Sequence, residues 1–512
     1  MNHVPKPGWV VAFLFICFLL PQVPVHGQMH RYWSTNLNEE SSMLAGAVVG
    51  GGANVGSIYY NPALISSTKK SLFSFNASLF SWQFYNINNA LGNGIDLKKS
   101  HFKIQPRFIS YLFRFKSMPN ITFEAAGFNK ADAEIEFSRA VTSKQDIILS
   151  LPGEEKYFAN FKYRYKYSET WIGIGASYSI SDKLSFGISM FGTSKTMKYH
   201  FLTDINAGPQ QDTVQTGGGE NIPYYAAATT KYEYLTYNNY RLLWKIGTTY
   251  KIEKLSFGLN ITTPSINIYS DNKSVSGRYN QSNISDPDGA ENLPDFDIED
   301  EQVKKELKVD SRDPFSVAFG IKYRDAKYMN TFYSTIEYFS GIEPYKMITA
   351  KVNTDITTGN IFDMIPNKDW LSYANGANQV VNIALAYKRK LNESFLLLGG
   401  IKTDFNNQIG LDYKDFEEYK TIYSVRYNLY HLTGGLLGTY RGSRFFAGLQ
   451  YSLGVNRNLN QIINLSDPVE YNTEENGALQ GNRQQNMDII FNGISLFFGA
   501  TISFGQVTDP EN

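Results

Sequence analysis

The residues best equipped for chemistry are few and scattered. Outside the first 27 positions the imidazoles are His30, His101, His200 and His431. Nucleophilic catalysis would need one of them within hydrogen-bond reach of a serine at one rim. Nothing in their spacing brings such a pair together, so no catalytic residue is assigned and the chain is read as a non-enzyme. Asp286-Pro287-Asp288-Gly289-Ala290-Glu291 sets carboxylates around a glycine turn, which suits calcium. Its spacing misses the EF-hand pattern, and the stretch Asp286–Glu306 reads as a solvated acidic loop, so no metal site and no cofactor is assigned. Gly50-Gly51-Gly52 lacks the Gly-Lys-Ser/Thr ending of a phosphate loop. Asn76-Ala77-Ser78 and Asn120-Ile121-Thr122 match the glycosylation pattern but fall in or beside strands. Lys+Arg and Asp+Glu number 48 each, so no basic surplus points to nucleic acid.

What must position any site is a strand-dominated chain. Of 512 residues, 35 are Tyr and 35 Phe, and apolar and polar residues interleave from about residue 71 onward. Phe315, Val317, Phe319, Ile321 and Tyr323 alternate with Ser316, Ala318, Gly320 and Lys322, so one face is apolar and the other small or polar. The links between strands carry the stronger signal. Six are short: Lys116–Asn120, Ser181–Lys183, Glu253–Lys254, Asp325–Lys327, Asn392–Glu393 and Arg441–Ser443. They alternate with seven long polar ones, near 86–100, 138–156, 204–228, 283–311, 353–377, 406–420 and 458–486. Six tight turns between seven long loops predict an all-β transmembrane antiparallel barrel of about 14 strands, short turns on the periplasmic side and long loops outside. Lys245, Lys322, Glu337 and Lys388 all fall on the lumen phase, as they should, because a lysine facing lipid at the midplane costs roughly 2–4 kcal/mol. One strand changes phase near Ser168: Tyr163, Tyr165 and Tyr167 share one parity, Ile172, Ile174 and Ala176 the other. A bulge, or a strand rising above the membrane with an interfacial tyrosine belt, accounts for this. Leu396, Leu397 and Leu398 carry no usable phase.

The N-terminus reads as a secretory signal, residues 1–27. Lys6 precedes the apolar run Trp9–Leu20, which is shorter than the ~20 residues of a spanning helix. Val25-His26-Gly27 offers a small-residue cleavage site, and Cys17, the only cysteine, lies in the apolar run after Ile16, which argues against lipidation. No later apolar run is long enough to span as a helix. Export without a spanning helix, together with the barrel pattern, predicts the bacterial outer membrane. Residues 28–70 are read as a plug, 71–505 as the barrel and 506–512 as a polar tail.

A barrel of ~14 strands encloses more space than its own side chains fill. Glu39–Val49 is predicted to form a short helix halted by Gly50, Gly51 and Gly52. Asn61 then caps a turn with Pro62 at its first position, running through Ala63. The stretch LAGAVVGGGANVGSIYYNPALIS resembles the N-terminal hatch signature of the FadL/TodX family, outer-membrane transporters of long-chain fatty acids and aromatic hydrocarbons. Ala45-Gly46-Ala47, Tyr60 and above all Asn61-Pro62-Ala63 carry the match. KLSFGLNITTPSINIY, DPFSVAFGIKY and LLLGGIKTDFNN are similar to it further along. The Asn-Pro-Ala motif also occurs in related barrels of a bacterial secretion system. The polar tail beyond Phe504 and the long acidic loops depart from the family.

The resemblance implies a fourteen-stranded barrel with its hatch in the lumen. It implies capture of a hydrophobic small molecule by external loops, passage to a pocket beside the hatch, and lateral release through a gap at a kinked third strand into outer-membrane lipid, the protein acting as a monomer. Gly127, Phe128 and Asn129 are the candidate kink, the alternative being a plain strand glycine. Tyr224 and Tyr225 are the candidate ligand-capture loop, the alternative being an apolar patch that packs on the barrel rim. Glu124, Lys130, Asp132, Glu134 and Glu136 share the lumen parity of that strand. Lys162, Arg164, Lys245 and Lys388 are the cations whose phase would let them meet a ligand carboxylate. A secretion scaffold or a general porin remains the alternative.

Overall fold

The computed structural model describes residues 31–504 except 34–36, 54, 68–70, 149–152, 210–212, 216–220, 224–226, 285–297, 326, 328, 351–370, 410–419 and 476. The signal region, Tyr224, Tyr225, the Asp286–Glu291 stretch and the tail 506–512 lie outside the described residues.

Fourteen strands close into one antiparallel barrel. They are β1 (Ser71–Asn88), β2 (Leu97–Phe113), β3 (Ile121–Gln145), β4 (Glu155–Ser179), β5 (Leu184–Pro209), β6 (Ala227–Ile252), β7 (Leu255–Thr262, continued by Ile266–Ser282), β8 (Ser316–Arg324), β9 (Asn330–Phe339), β10 (Val380–Lys390), β11 (Phe395–Asp404), β12 (Asn428–Tyr440), β13 (Ser443–Leu459) and β14 (Met487–Phe504). Each pairs with its neighbours in sequence, and β1 with β14 closes the ring. Closure pairs the strand edges within the hydrocarbon, where an unpaired backbone group costs several kcal/mol, except along part of β2 and β3. The six tight turns fall at one end and the seven long connections at the other, as the spacing predicts. β7 is interrupted at Thr263–Ser265, where Pro264 has no N–H to give the ladder.

The strands differ widely in length. β8 and β9 have 9 and 10 residues, enough to cross the apolar layer, whereas β3, β4, β5 and β6 have 25 or 26. A tilted strand needs only about 9–11 residues to span, so these four stand well above the membrane. The loops expected at 138–156 and 204–228 are accordingly mostly strand.

The two halves of the long strands are built oppositely. In the lower half, Ile172, Ile174 and Tyr178 of β4 and Phe186, Ile188 and Met190 of β5 face outward and are exposed to lipid. In the upper half, Tyr157, Phe161, Tyr163 and Tyr165 point inward and are fully buried. The β4–β5 register runs from Ser179 to Glu155 without a shift. So no bulge of β4 makes the phase change near Ser168: the strand rises above the membrane, as one of the two expectations had it, but its tyrosines form no interfacial belt, because the apolar residues change from the outer face to the inner one. Above the membrane the aromatic lining packs against the long loops. The Tyr163 hydroxyl donates to the Tyr423 carbonyl at 3.1 Å, Tyr157 to Leu479 at 2.9 Å, and the Tyr199 and Tyr373 rings lie 6.4 Å apart. This upper core is separate from a lower one, centred on Leu44, Val48, Ile58 and Phe191.

Candidate functional site: a lumen cavity beside a gap in the wall

The lower core is made by the leading segment inside the barrel. Helix α1 (Glu39–Met43) starts at Asn38, whose side chain accepts the Ser41 N–H at 2.7 Å, while the Ser41 hydroxyl accepts the Asn38 N–H at 3.1 Å. The helix ends at Leu44, not Val49, because the chain turns back through Ala45 and Gly46, both at positive φ. A second short helix α2 (Ser57–Tyr60) leads to Asn61 and a 3₁₀ turn over Pro62–Ser67. Asn61 Oδ1 caps it by accepting the Ala63 N–H at 3.1 Å. Its amide donates to the Val49 carbonyl at 2.9 Å and to Thr248 of β6 at 3.1 Å, tying the turn to both segment and wall.

The wall is cut away where these residues lie on it. A Cβ on Gly187 would fall 2.3 Å from the Pro62 carbonyl carbon; on Gly247, 2.1 Å from Asn61 Oδ1; on Gly258, 2.0 Å from the Val49 oxygen; on Gly320, 2.4 Å from the Gly50 nitrogen. Four adjacent strands thus give a side-chain-free floor on which Val49, Gly50, Asn61 and Pro62 rest. Polar contacts complete the seat. Glu124 of β3 accepts the Gly56 and Ile58 N–H groups at 2.6 and 3.0 Å. Lys388 and Arg444 bind Glu40 at 3.2 and 2.8 Å. Lys245, Lys322, Glu337 and Lys388 all face the lumen, as their phase predicts.

Between the two cores lies a cavity of about 190 Å³. Tyr59, Trp171 and Leu243 line it from below, Tyr85, Tyr345 and Tyr427 from above. Most of its charges are satisfied by one another. Arg241, wholly buried, donates to Glu169 at 2.8 Å and to Asp313; Trp171 and Tyr167 also donate to Glu169, at 2.9 and 2.7 Å. Trp33 and Ser316 donate to Glu337 at 2.5 and 2.8 Å. Lys245 differs. Its ammonium donates to the Thr262 hydroxyl at 2.9 Å and stands 4.6 Å from the Tyr59 ring centre, and among the described residues it has no ion pair.

The cavity reaches the wall at Asn129–Ala133 of β3. There the wall is incomplete. β2 pairs with β3 only from Phe113↔Phe123 to Phe108↔Phe128, although β2 runs on to Leu97 and β3 to Gln145. Gly127 is paired on both sides, to Ile109 and Ile172, and a Cβ there would make only ordinary contacts, so it does not itself open the wall. Phe128 is the last residue joined to β2, and the β3–β4 register slips between Asn129 and Ala131. On the β2 side, Pro106 sits beside a register slip against β1, a position where proline is tolerated. Across the gap Lys103 forms an ion pair with Asp132.

Comparison with solved structures finds this architecture in the P. putida toluene transporter TodX, at 12% identity and TM-score 0.53, and in a Pseudomonas aeruginosa FadL homologue, at 10% and 0.50. Each alignment covers 93% of this chain and 100% of the other. The chain has the FadL/TodX fold. No family model and no curated protein matches it.

Within the FadL/TodX fold, several residues stand elsewhere than their sequence phase implies. The slip at Lys130 reverses the parity of β3: Ile135 and Phe137 turn into the core, and Glu134 and Glu136 turn outward, where Glu134 meets Arg164 at 3.2 Å and Lys166 at 3.1 Å. The lumen assignment of these carboxylates is therefore corrected, and Lys162 and Arg164 are likewise on the outer face. Asp132 stands at the gap. Of the four cations considered for a ligand, only Lys245 borders the cavity.

The structure also brings together a pair that spacing did not reveal. His431 Nδ1 lies 2.7 Å from Ser452 Oγ, and Asp404 Oδ2 lies 3.9 Å from His431 Nε2. Gln450 Nε2 is 3.0 Å from the serine and 3.1 Å from the imidazole, and Asp404 Oδ1 accepts the Trp33 N–H at 3.0 Å. The group is a buried polar patch holding the leading segment to β11–β13. Its signal lies in cross-strand register, His431 opposite Ser452, which is invisible without the pairing.

Proposed function

We propose that the protein is a passive, energy-independent outer-membrane channel for hydrophobic small molecules such as long-chain fatty acids or aromatic hydrocarbons. In this reading the ligand rests in the cavity above Tyr59 and leaves sideways between β2 and β3 into the bilayer. The observation that carries it is the coincidence of cavity and gap: the β3 residues that line the one, Asn129–Ala133, are those that lack a β2 partner at the other. The aromatic floor offers an apolar body roughly 0.8 kcal/mol per buried CH₂. Lys245, which has no ion pair among the described residues, offers a polar head a charge. The solved structures of the same fold, a toluene transporter and a FadL homologue, support the reading.

A general porin needs an open aqueous bore, and the seated leading segment obstructs this one. A secretion or surface-protein scaffold needs no ligand at all. Mass spectrometry of molecules extracted from the purified protein separates the remaining readings. The channel reading expects a stoichiometric apolar or amphipathic compound, lost in a Leu243→Arg variant that fills the cavity. A protein that carries no such compound, and whose proteoliposomes swell in sugars, contradicts it.

A further inference from the structure

We propose that the outer face of β4 and β5, just above the lipid-facing belt, binds the anionic sugar core of an outer-leaflet glycolipid. The lower, outward residues of these strands are apolar as far up as Ile172 on β4 and Met190 on β5. Above Ile172 and its partner Gly192, the outward positions carry hydroxyls: Thr170 and Ser168 on β4, opposite Ser194 and Thr196 on β5. Above these come Lys166, Arg164 and Lys162 on β4, with Lys198 and His200 on β5. From Ile172 to Lys166 is six residues, or roughly 15 Å along the membrane normal for a strand rising ~3.3 Å per residue at a tilt of ~40°. That is the height of a sugar layer, not of the acyl chains.

The register makes the patch costly unless something anionic covers it. Lys166 is paired directly across from Lys198. Like charges facing each other across a ladder destabilise a sheet. Glu134 and Glu136 of β3 answer Lys166 and Arg164 from the other side. Among the described residues Lys162 and Lys198 have no ion pair. Four lysine and arginine charges thus stand against two carboxylates, on a chain whose formal net charge is zero. Burial, and next the neighbouring Lys162 and Arg164, hold the His200 imidazole below its usual range. Phosphate or sugar-acid oxygens are the acceptors that ammonium and guanidinium groups take most strongly, and hydroxyl rows beneath them suit sugar.

The test uses the full-length protein purified in detergent and three probes: rough-type lipopolysaccharide with a phosphorylated inner core, the same glycolipid with core phosphates removed, and lipid A alone. Native mass spectrometry should retain the first on the protein, with both others at least tenfold weaker and all retention falling with salt. A Lys162→Gln, Lys198→Gln variant should bind the first probe at least tenfold more weakly. A Glu134→Gln, Glu136→Gln variant should bind it more tightly. Heat-dependent gel mobility checks that each variant is folded, and if the lysine variant is not, the glutamate variant decides. Equal retention of the three probes, or an affinity unmoved in whichever folded variant decides, overturns the proposal.

Discussion

The lower and upper halves of β3–β6 are the same strands in two media. Below Thr170, β4 presents Ile172 and Ile174 to lipid and turns small residues such as Gly175 toward the plug. Above it, β4 presents Lys162 and Arg164 to water and turns Tyr163 and Tyr165 into a core. Strand propensity does not distinguish the halves; the medium on each side does. A lipid-spanning wall is apolar outside because lipid replaces the second sheet, and a solvated wall must find its apolar partner within. The cavity occurs where one rule gives way to the other. There neither core fills the bore, and β3, freed from β2, slips by one residue at Lys130.

Breaking the upper half should have the largest effect. Tyr165→Lys buries an uncompensated charge in the upper core and should cost roughly 3–5 kcal/mol, while Lys162→Tyr on the opposite face should stay within about 0.5 kcal/mol. Denaturant unfolding from lipid vesicles measures both. Ile174→Lys puts a charge against lipid in the lower half and should cost about 2–4 kcal/mol. A substitution that behaved alike in both halves would show the boundary to be misplaced. Gly247→Ala should follow. Its Cβ would strike Asn61, an overpacking worth roughly 1–3 kcal/mol, and the unseated plug should raise single-channel conductance in planar bilayers.

The smallest effect separates the halves by pH. In the upper core, burial pushes the Glu233 carboxyl up, but Lys420 at 3.1 Å and Lys231 at 3.6 Å outweigh it, and its pKa ends below the ordinary value. A carboxyl held lower in the folded state contributes stability that is complete above its unfolded pKa of about 4.3. That contribution is lost as pH falls through the lower folded value. Acid should therefore loosen the upper core, measured by hydrogen exchange at Tyr199 and Leu235, and Glu233→Gln should flatten that dependence.

Much of this was legible in advance because it rests on alternation and on turns. Six short links fixed the strand count, and period-2 parity placed Lys245, Lys322, Glu337 and Lys388 inside. Asn61-Pro62 announced a capped turn. What parity could not carry was any change of medium or register. Tyr163 and Ile172 differ in phase because water replaces lipid, and no residue at the boundary says so. Glu134 and Glu136 were misplaced because one unpaired residue, Lys130, reverses everything beyond it. Leu396 and Leu398 lost their phase because the plug makes the inner face apolar too: Leu398 is buried against the lower core while Leu397 meets lipid. The gap itself is a missing ladder, which parity does not show; only the resemblance placed it, at Gly127–Asn129, and the pairing with β2 ends there, at Phe128.

Transport with the gap held shut tests the account most directly. Residues on β2 and β3 across the gap, such as Lys103 and Asp132, can be replaced by cysteine and joined by a short bifunctional reagent, since Cys17 is the chain's only other thiol. The account predicts that the joined barrel, folded and with its plug seated, carries labelled oleate or toluene into proteoliposomes at least tenfold more slowly than the unjoined one, and that reversing the link restores the rate. Equal rates with the link in place would contradict lateral release between β2 and β3.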